Sequence, residues 1–134
     1  MRRDEQILAE LARAADGLWY MSESDYPLEP ILLEATSEPV IERLREMAGA
    51  RADARVEIRS LEEFFREGAA ARISREGKDE PPRVASFQHI VRTLREHLTD
   101  IRVYRIGEIN IAVYILGRSS SGTWLGLSTR IVET

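Results

Sequence analysis

Apolar positions repeat at the three-to-four-residue spacing of amphipathic helices in three parts of the chain. The first pattern follows Asp4, which is a suitable N-cap, and Gly17 suits the end of that helix. The second follows Pro39 and stops at Gly49, and the third opens at Pro82. The predicted inner faces are Ile7, Leu8, Leu11 and Ala15 in the first helix, Val40, Leu44 and Met47 in the second, and Val84, Phe87, Ile90, Val91, Leu94 and Leu98 in the third.

Shorter elements are predicted between these helices. Residues 31–33 form a short apolar run, and residues 55–59 alternate charged and apolar side chains as a half-exposed strand does. Ser60 and Glu63 have the spacing of a capping box, which predicts a short helix after the second strand. Residues 66–82 are rich in Gly, Ala, Arg, Glu and Pro, and this composition favours a surface loop.

The last third of the chain predicts a three-stranded meander with apolar side chains on both faces. Gly107-Glu108 suits a two-residue type II′ hairpin turn, and residues 119–122 suit a second hairpin loop. Pairing around Gly107-Glu108 places Tyr104, Ile106, Ile109, Ile111, Val113 and Ile115 on one face, and Ile101, Val103, Ala112, Tyr114 and Leu116 on the other. A sheet of this kind needs cover on both sides. The predicted fold class is therefore α+β: a three-layer α-β-α sandwich, with helices on both faces of a largely antiparallel sheet.

Composition limits the classes of function. The chain has 134 residues, 43% of them hydrophobic, which fits one compact domain spanning residues 1–134. Its net charge of -4 argues against direct nucleic-acid binding. Mild acidity suits a partner with a basic cleft, although it also serves solubility alone. There are no cysteines, no apolar signal-peptide core and no membrane-spanning run, so we expect a cytoplasmic protein that does not bind membranes.

No conventional catalytic motif is present. His89 and His97 are eight residues apart, which is not the spacing of a helical zinc pair, and we interpret both as solvated surface residues. A nucleophile elbow and a phosphate-binding glycine loop are both missing. We therefore predict no catalytic residues, no enzyme activity and no cofactor.

Two segments carry unusual polar groups. Residues 21–27 place Glu23 and Asp25 between serines and before Tyr26-Pro27, although turn-forming side chains also suit a simple connector. The ending, residues 124–134, keeps a strand-like alternation almost to Thr134. An ending tied into a sheet would hold its terminal carboxylate and hydroxyl in place, but the same pattern also fits a strand that ends with the chain.

At these segments the sequence resembles the nuclease A inhibitor family. The similar stretches are ADGLWYMSESDYP (15–27), VYRIGEINIAVYILG (103–117) and GLSTRIVET (126–134), and the resemblance extends over essentially the whole chain. It implies a three-layer α-β-α fold. It also implies a protein that occludes the active site of a sugar-non-specific, Mg²⁺-dependent ββα-metal nuclease. We also expect the protein to be a monomer when free.

The resemblance also assigns contact residues. Glu23 would enter the nuclease cleft and meet its basic groups, and Thr134 would reach the Mg²⁺ of the partner nuclease. The neighbouring residues assigned to the same partner-binding surface are Ser22, Ser24, Asp25 and Glu133.

One departure from the family pattern leaves an alternative open. The family's aromatic anchor, a tryptophan in the loop after the second short helix, is absent from residues 69–75, where Ile73 is the largest apolar side chain. The alternative is a non-catalytic adaptor or regulatory domain on the same scaffold with a partner that is not a nuclease. A hydrolase using Glu23 or Asp25 is a third reading, but no base, nucleophile or metal cluster accompanies them.

Overall fold

A computed structural model describes residues 2–15, 19–20, 26–33, 41–64 and 81–132 of the chain. The helices are α1 (Arg2–Ala15), α2 (Ile41–Met47) and α3 (Pro81–His97). The strands are β1 (Trp19–Tyr20), β2 (Tyr26–Pro27), β3 (Glu29–Leu33), β4 (Val56–Arg59), β5 (Thr99–Ile106), β6 (Asn110–Arg118) and β7 (Trp124–Val132).

Five of the strands form one antiparallel sheet in the order β3-β7-β6-β5-β4. β1 and β2 pair with each other as a separate antiparallel ribbon. An antiparallel sheet accompanied by helices confirms the predicted α+β class. Because β7 pairs with both β3 and β6, the last described strand lies inside the sheet and not at its edge.

The inner stripe of α1 is confirmed, but its predicted N-cap is wrong. Ile7, Leu11 and Ala15 are buried, and Leu8 packs against them while partly exposed. The helix already includes Arg2, so Asp4 lies inside its first turn. Asp4 is 7% exposed, and both of its carboxylate oxygens lie 2.9 Å from the hydroxyl oxygen of Ser121. The cap was mispredicted because this carboxylate bonds to a remote hairpin loop, which local sequence does not reveal.

The β5–β6 hairpin has a longer connection than predicted. Ile106 pairs with Ala112, so five residues, 107–111, join the paired positions instead of Gly107-Glu108 alone. Gly107 has φ +114°, and a Cβ there would lie 2.4 Å from the carbonyl oxygen of Asn110. Glycine is therefore required at this position. The turn that requires it is the longer one and not the predicted two-residue turn.

The change in loop length corrects the predicted faces. Lengthening a hairpin loop by an odd number of residues turns one strand's side chains to the opposite face. Consequently Tyr104 and Ile106 share a face with Ala112, Tyr114 and Leu116, whereas Val103 shares the other with Ile111, Val113 and Ile115. Ile109, which was predicted to face inward, is 56% exposed.

Buried side chains occur on both faces of the sheet, as the two apolar faces predicted. One cluster combines strand residues such as Val113 and Leu127 with Leu11 of α1 and Leu94 of α3. The second combines Tyr114, Leu116 and other strand residues with Leu44 of α2. Residues 111–117 of β6 are all buried, which identifies β6 as a central strand of the core.

Local signals around α2 are largely confirmed. α2 buries Leu44 completely, and Gly49 follows it with φ +69°. Met47 was predicted on the same inner face, but it is 37% exposed at the last position of the helix, so this part of the prediction is wrong. The Ser60 backbone N–H donates to the Glu63 carboxylate, and the Glu63 N–H donates to the Ser60 hydroxyl, both at 3.2 Å. The capping box is therefore confirmed, and a helical turn follows at residues 61–64. Three further predictions fall on residues outside the described ranges: the helix end at Gly17, the helix start at Pro39 and most of the loop at residues 66–82.

The two histidines of α3 differ from each other. His89 is exposed, as predicted. His97 is half-buried, and its Nε2 lies 2.9 Å from the Glu10 carboxylate of α1, so its interpretation as a solvated residue is wrong. This contact links two helices whose buried residues belong to the same core cluster. Within the described ranges, no helix is long and apolar enough to cross a membrane.

Candidate functional site

The segment predicted as the Glu23 loop lies in the chain between the two strands of the short ribbon. Trp19 pairs with Pro27, and Tyr20 pairs with Tyr26, so the flanks of the loop are held side by side. Both strands of the ribbon contact β7. The predicted contact residues of the loop itself, Ser22, Glu23, Ser24 and Asp25, lie outside the described residues.

The second predicted contact follows directly on β7. Ile131 is buried opposite Ile111, and Val132 is paired with Asn110. The backbone is therefore held in the sheet up to Val132. Glu133 and Thr134 lie outside the described part of the chain.

Strand direction relates the flanks of these two segments. β3 runs antiparallel to β7 with Glu29 opposite Ser128, so the chain before Glu29 leads toward the C-terminal end of β7. That preceding chain is β2, which contacts β7. The described residues on either side of the loop and before Glu133 thus converge on one end of the sheet.

The tip of the β5–β6 hairpin occupies the same end of the sheet. Glu108, Ile109 and Asn110 are exposed there, and Asn110 is the pairing partner of Val132. Sequence reasoning missed this tip because it assigned Ile109 to an inward face. The signal that could have identified it was the run of polar and glycine residues around Ile109, which favours a longer loop.

A groove of about 340 Å³ adjoins this end of the sheet. Ile31 and Met47 give it an apolar side, and Tyr114, Ser128 and Arg130 give it hydrogen-bonding groups and a cation. Burial raises the pKa of Tyr114, and the Arg130 guanidinium only partly opposes this. The phenol therefore stays protonated at neutral pH and can exchange hydrogen bonds but cannot act as a general base.

A polar network around the buried Asp4 lies at the opposite end of the β6–β7 pair. The Ser121 hydroxyl bonds to Asp4 and lies 2.9 Å from the Ser119 hydroxyl and 3.3 Å from that of Thr123. Burial works to raise the pKa of Asp4, but the hydrogen bonds from these three hydroxyl groups outweigh it, so the pKa is lowered. An ionised carboxylate satisfied in this way fastens α1 to the β6–β7 hairpin and is not poised for chemistry.

No group of three or more histidine, aspartate or glutamate side chains in the described ranges is arranged to hold a metal ion. The predicted Mg²⁺ contact concerns an ion of the partner and is independent of this finding.

The protein family described as "Nuclease A inhibitor-like protein" matches this sequence over residues 5–134. The chain belongs to the nuclease A inhibitor-like family. The match spans the loop, the hairpin tip and the ending, and it confirms the resemblance predicted from the three sequence stretches. Membership of the nuclease A inhibitor-like family implies a nuclease as the protein partner and an inhibitory role, which is not a catalytic one. No individually curated protein matches the chain.

Proposed function

We propose that this protein inhibits a sugar-non-specific, Mg²⁺-dependent ββα-metal nuclease by occupying its active site with the Glu23 loop and Thr134. The observation that carries the proposal is the family match over residues 5–134, which includes both segments. The convergence of their described flanks on one end of β7 supports it, because a single cleft can receive both only if they are neighbours.

Thr134 suits a contact with the nuclease metal ion. Mg²⁺ prefers oxygen ligands and usually keeps several waters beside one or two carboxylates. A terminal carboxylate with an adjacent hydroxyl offers oxygens in place of those of a phosphate. The buried and paired Ile131 gives this short ending a fixed base.

Glu23 suits a contact with the cationic groups of the cleft. A carboxylate can take the place of a substrate phosphate facing arginine through charge-assisted hydrogen bonds. Ser22, Ser24 and Asp25 would form the polar rim around it, and Glu133 would add negative charge beside Thr134. Such an inhibitor presents the charge of the substrate but no bond to cut.

A rigid scaffold would favour tight binding. We infer that the helices cover both faces of the sheet in a three-layer α-β-α arrangement, with α1 and α3 on one face and α2 on the other. The two buried clusters support this arrangement, since one includes α1 and α3 residues and the other includes Leu44 of α2. Segments presented from a fixed sheet lose less conformational entropy on binding than mobile ones.

Binding and inhibition of a ββα-metal nuclease would test the proposal. Glu23→Ala and deletion of Thr134 should each weaken binding by about 2–5 kcal/mol, because a charged group of the nuclease is left buried without a partner. The matched control is Glu96→Ala, since Glu96 is an exposed carboxylate on α3, far along the chain from either segment. This control should bind like the unmodified protein.

Unchanged affinity in both the Glu23 and Thr134 variants would overturn the mechanism. Failure of the unmodified protein to bind any such nuclease, with capture of only non-nuclease partners from cells, would favour an adaptor role.

A further inference from the structure

We infer that the tip of the β5–β6 hairpin, Glu108-Ile109-Asn110, is a third contact with the nuclease and that Ile109 is its apolar anchor. The nature of the partner rests on the proposed function. The location of the contact rests on the pairing, exposure and support of the tip itself.

The tip lies beside the last described residue of β7. Asn110 pairs with Val132, and Ile111 pairs with Ile131, so the hairpin tip and the strand end are adjacent. Neighbouring strands are about 4.8 Å apart. A protein that meets the residues following Val132 therefore also meets this tip.

The area that a stable protein–protein interface needs also favours a contact at the hairpin tip. A stable protein–protein interface takes roughly 800 Å² and 20–30 residues from each partner. One short loop and a strand ending supply only part of that area. β7 is flanked by β3, which follows the Glu23 loop, on one side and by β6, which follows the tip, on the other. The interface must extend over neighbouring surface, and the tip is the exposed part of the β6 side at this end.

The base of the tip is firmly held. The Gly107 N–H donates to the carbonyl oxygen of Arg55 at 2.9 Å, and Ile111 is buried at 3% exposure. Ile109 between them is 56% exposed. An apolar side chain displayed on a fixed turn can enter a pocket at little cost in backbone entropy.

Exposure alone would not identify a contact, because single exposed apolar residues are common on protein surfaces. Ile58 is also 56% exposed, but it lies on the edge strand β4, three strands away from β7. Ile109 differs from Ile58 because the hairpin tip that carries it lies beside the C-terminal end of β7. Glu108 beside it adds a carboxylate that suits the basic surroundings of a nucleic-acid cleft.

This contact would also account for the absence of an aromatic residue from residues 69–75. The apolar anchoring of the complex would come from Ile109, on the hairpin tip, and not from that segment. The expected pocket on the nuclease is therefore small and aliphatic, close to its active site.

The test compares two equally exposed isoleucines in inhibition assays with a ββα-metal nuclease. Ile109→Ala should raise the inhibition constant roughly tenfold, and Ile109→Arg should raise it further by placing a cation against a basic cleft. Ile58→Ala is the matched control and should leave the constant unchanged. Melting temperatures should be equal in all variants, since both side chains are largely exposed.

The outcomes separate this inference from the proposed function. Loss of inhibition in Glu23→Ala together with full inhibition by both Ile109 variants would overturn the hairpin contact alone. Equal loss in Ile109→Ala and Ile58→Ala would also overturn it, because position would then not matter. Absence of inhibition by the unmodified protein would overturn both.

Discussion

At the scale of single residues, the buried charged groups depend on distant parts of the chain. Asp4 bonds to Ser121, which is 117 positions away. Arg105 is 7% exposed, and its Nη1 lies 3.6 Å from the Glu57 carboxylate on the neighbouring strand. These partners could not be predicted from local patterns, since the same aspartate also fits a helix cap. The consequence is that a polar side chain near the N-terminus contributes to the stability of the last hairpin.

Replacing Asp4 should show this contribution. We expect Asp4→Ala to lower the free energy of unfolding at pH 7 by about 1–3 kcal/mol, because the hydroxyl groups around the buried carboxylate lose their acceptor. Glu5→Ala, which changes an exposed carboxylate in the same helical turn, should cost less than about 0.5 kcal/mol. Urea unfolding measures both.

The effect of Asp4 should also depend on pH. Because the folded state lowers the pKa of Asp4 below that of the unfolded chain, its stabilisation is present above the unfolded pKa. It is lost as the pH falls through the lower, folded value. The difference between the unmodified protein and Asp4→Ala should therefore shrink in strongly acidic solution. A difference that persisted there would identify packing, and not the ionised carboxylate, as its origin.

At the scale of elements, the spacing of apolar residues predicted the buried faces of the helices better than turn residues predicted the pairing of the strands. Leu11, Leu44 and Leu94 were correctly placed on inner faces, because a helix buries every third or fourth residue whatever it packs against. Met47, at the end of α2, was wrongly placed on one. The capping box was correct because both of its partners lie within four residues. The β5–β6 register was wrong because Gly107 fits several turns, and only tertiary pairing selects the longer one.

The candidate site was predictable only through family resemblance. Glu23 and Thr134 belong to segments that, by pattern alone, equally suit a connector and a plain strand end. Their predicted roles remain proposals, since both residues lie outside the described ranges. The hairpin tip was missed because the two-residue turn predicted at Gly107-Glu108 implies another register, although the polar and glycine residues around Ile109 favour the longer loop.

Close packing of β7 against β6 yields a prediction at this scale. A Cβ on Gly126 would lie 1.8 Å from the carbonyl oxygen of Ile115 on β6, so any side chain must displace a strand backbone. We expect Gly126→Ala to lower the free energy of unfolding by about 3 kcal/mol or more.

Gly49→Ala provides the comparison in the same thermal or urea unfolding measurement. A Cβ at Gly49 meets no atom within 4 Å, so only its positive φ of +69° opposes the change. Its cost should be about 1 kcal/mol. Equal costs for the two substitutions would show that β7 can move away from β6 without loss.

At the scale of the whole molecule, net charge bears on how the protein meets its partner. The chain carries a formal charge of -4 at pH 7. A nuclease needs a basic cleft to bind its polyanionic substrate, so the long-range field should draw the two proteins together. The field acts mainly on the rate of encounter and less on the lifetime of the complex.

Association kinetics should therefore be sensitive to salt. Raising the ionic strength from about 0.01 M to about 0.5 M should slow association with the nuclease roughly tenfold, because the screening length falls below the separation of the approaching charges. Dissociation should change much less. Stopped-flow or surface-binding measurements give both rates, and an association rate independent of salt would exclude electrostatic steering.

The place of β7 between β3 and β6 has a consequence for biosynthesis. During translation β3 leaves the ribosome long before the strand it pairs with, since Glu29 lies opposite Ser128. In a nascent chain β3 therefore cannot join the other strands of the sheet until β7 has emerged. A chain that stops before β7 would lack the strand that joins β3 to β6.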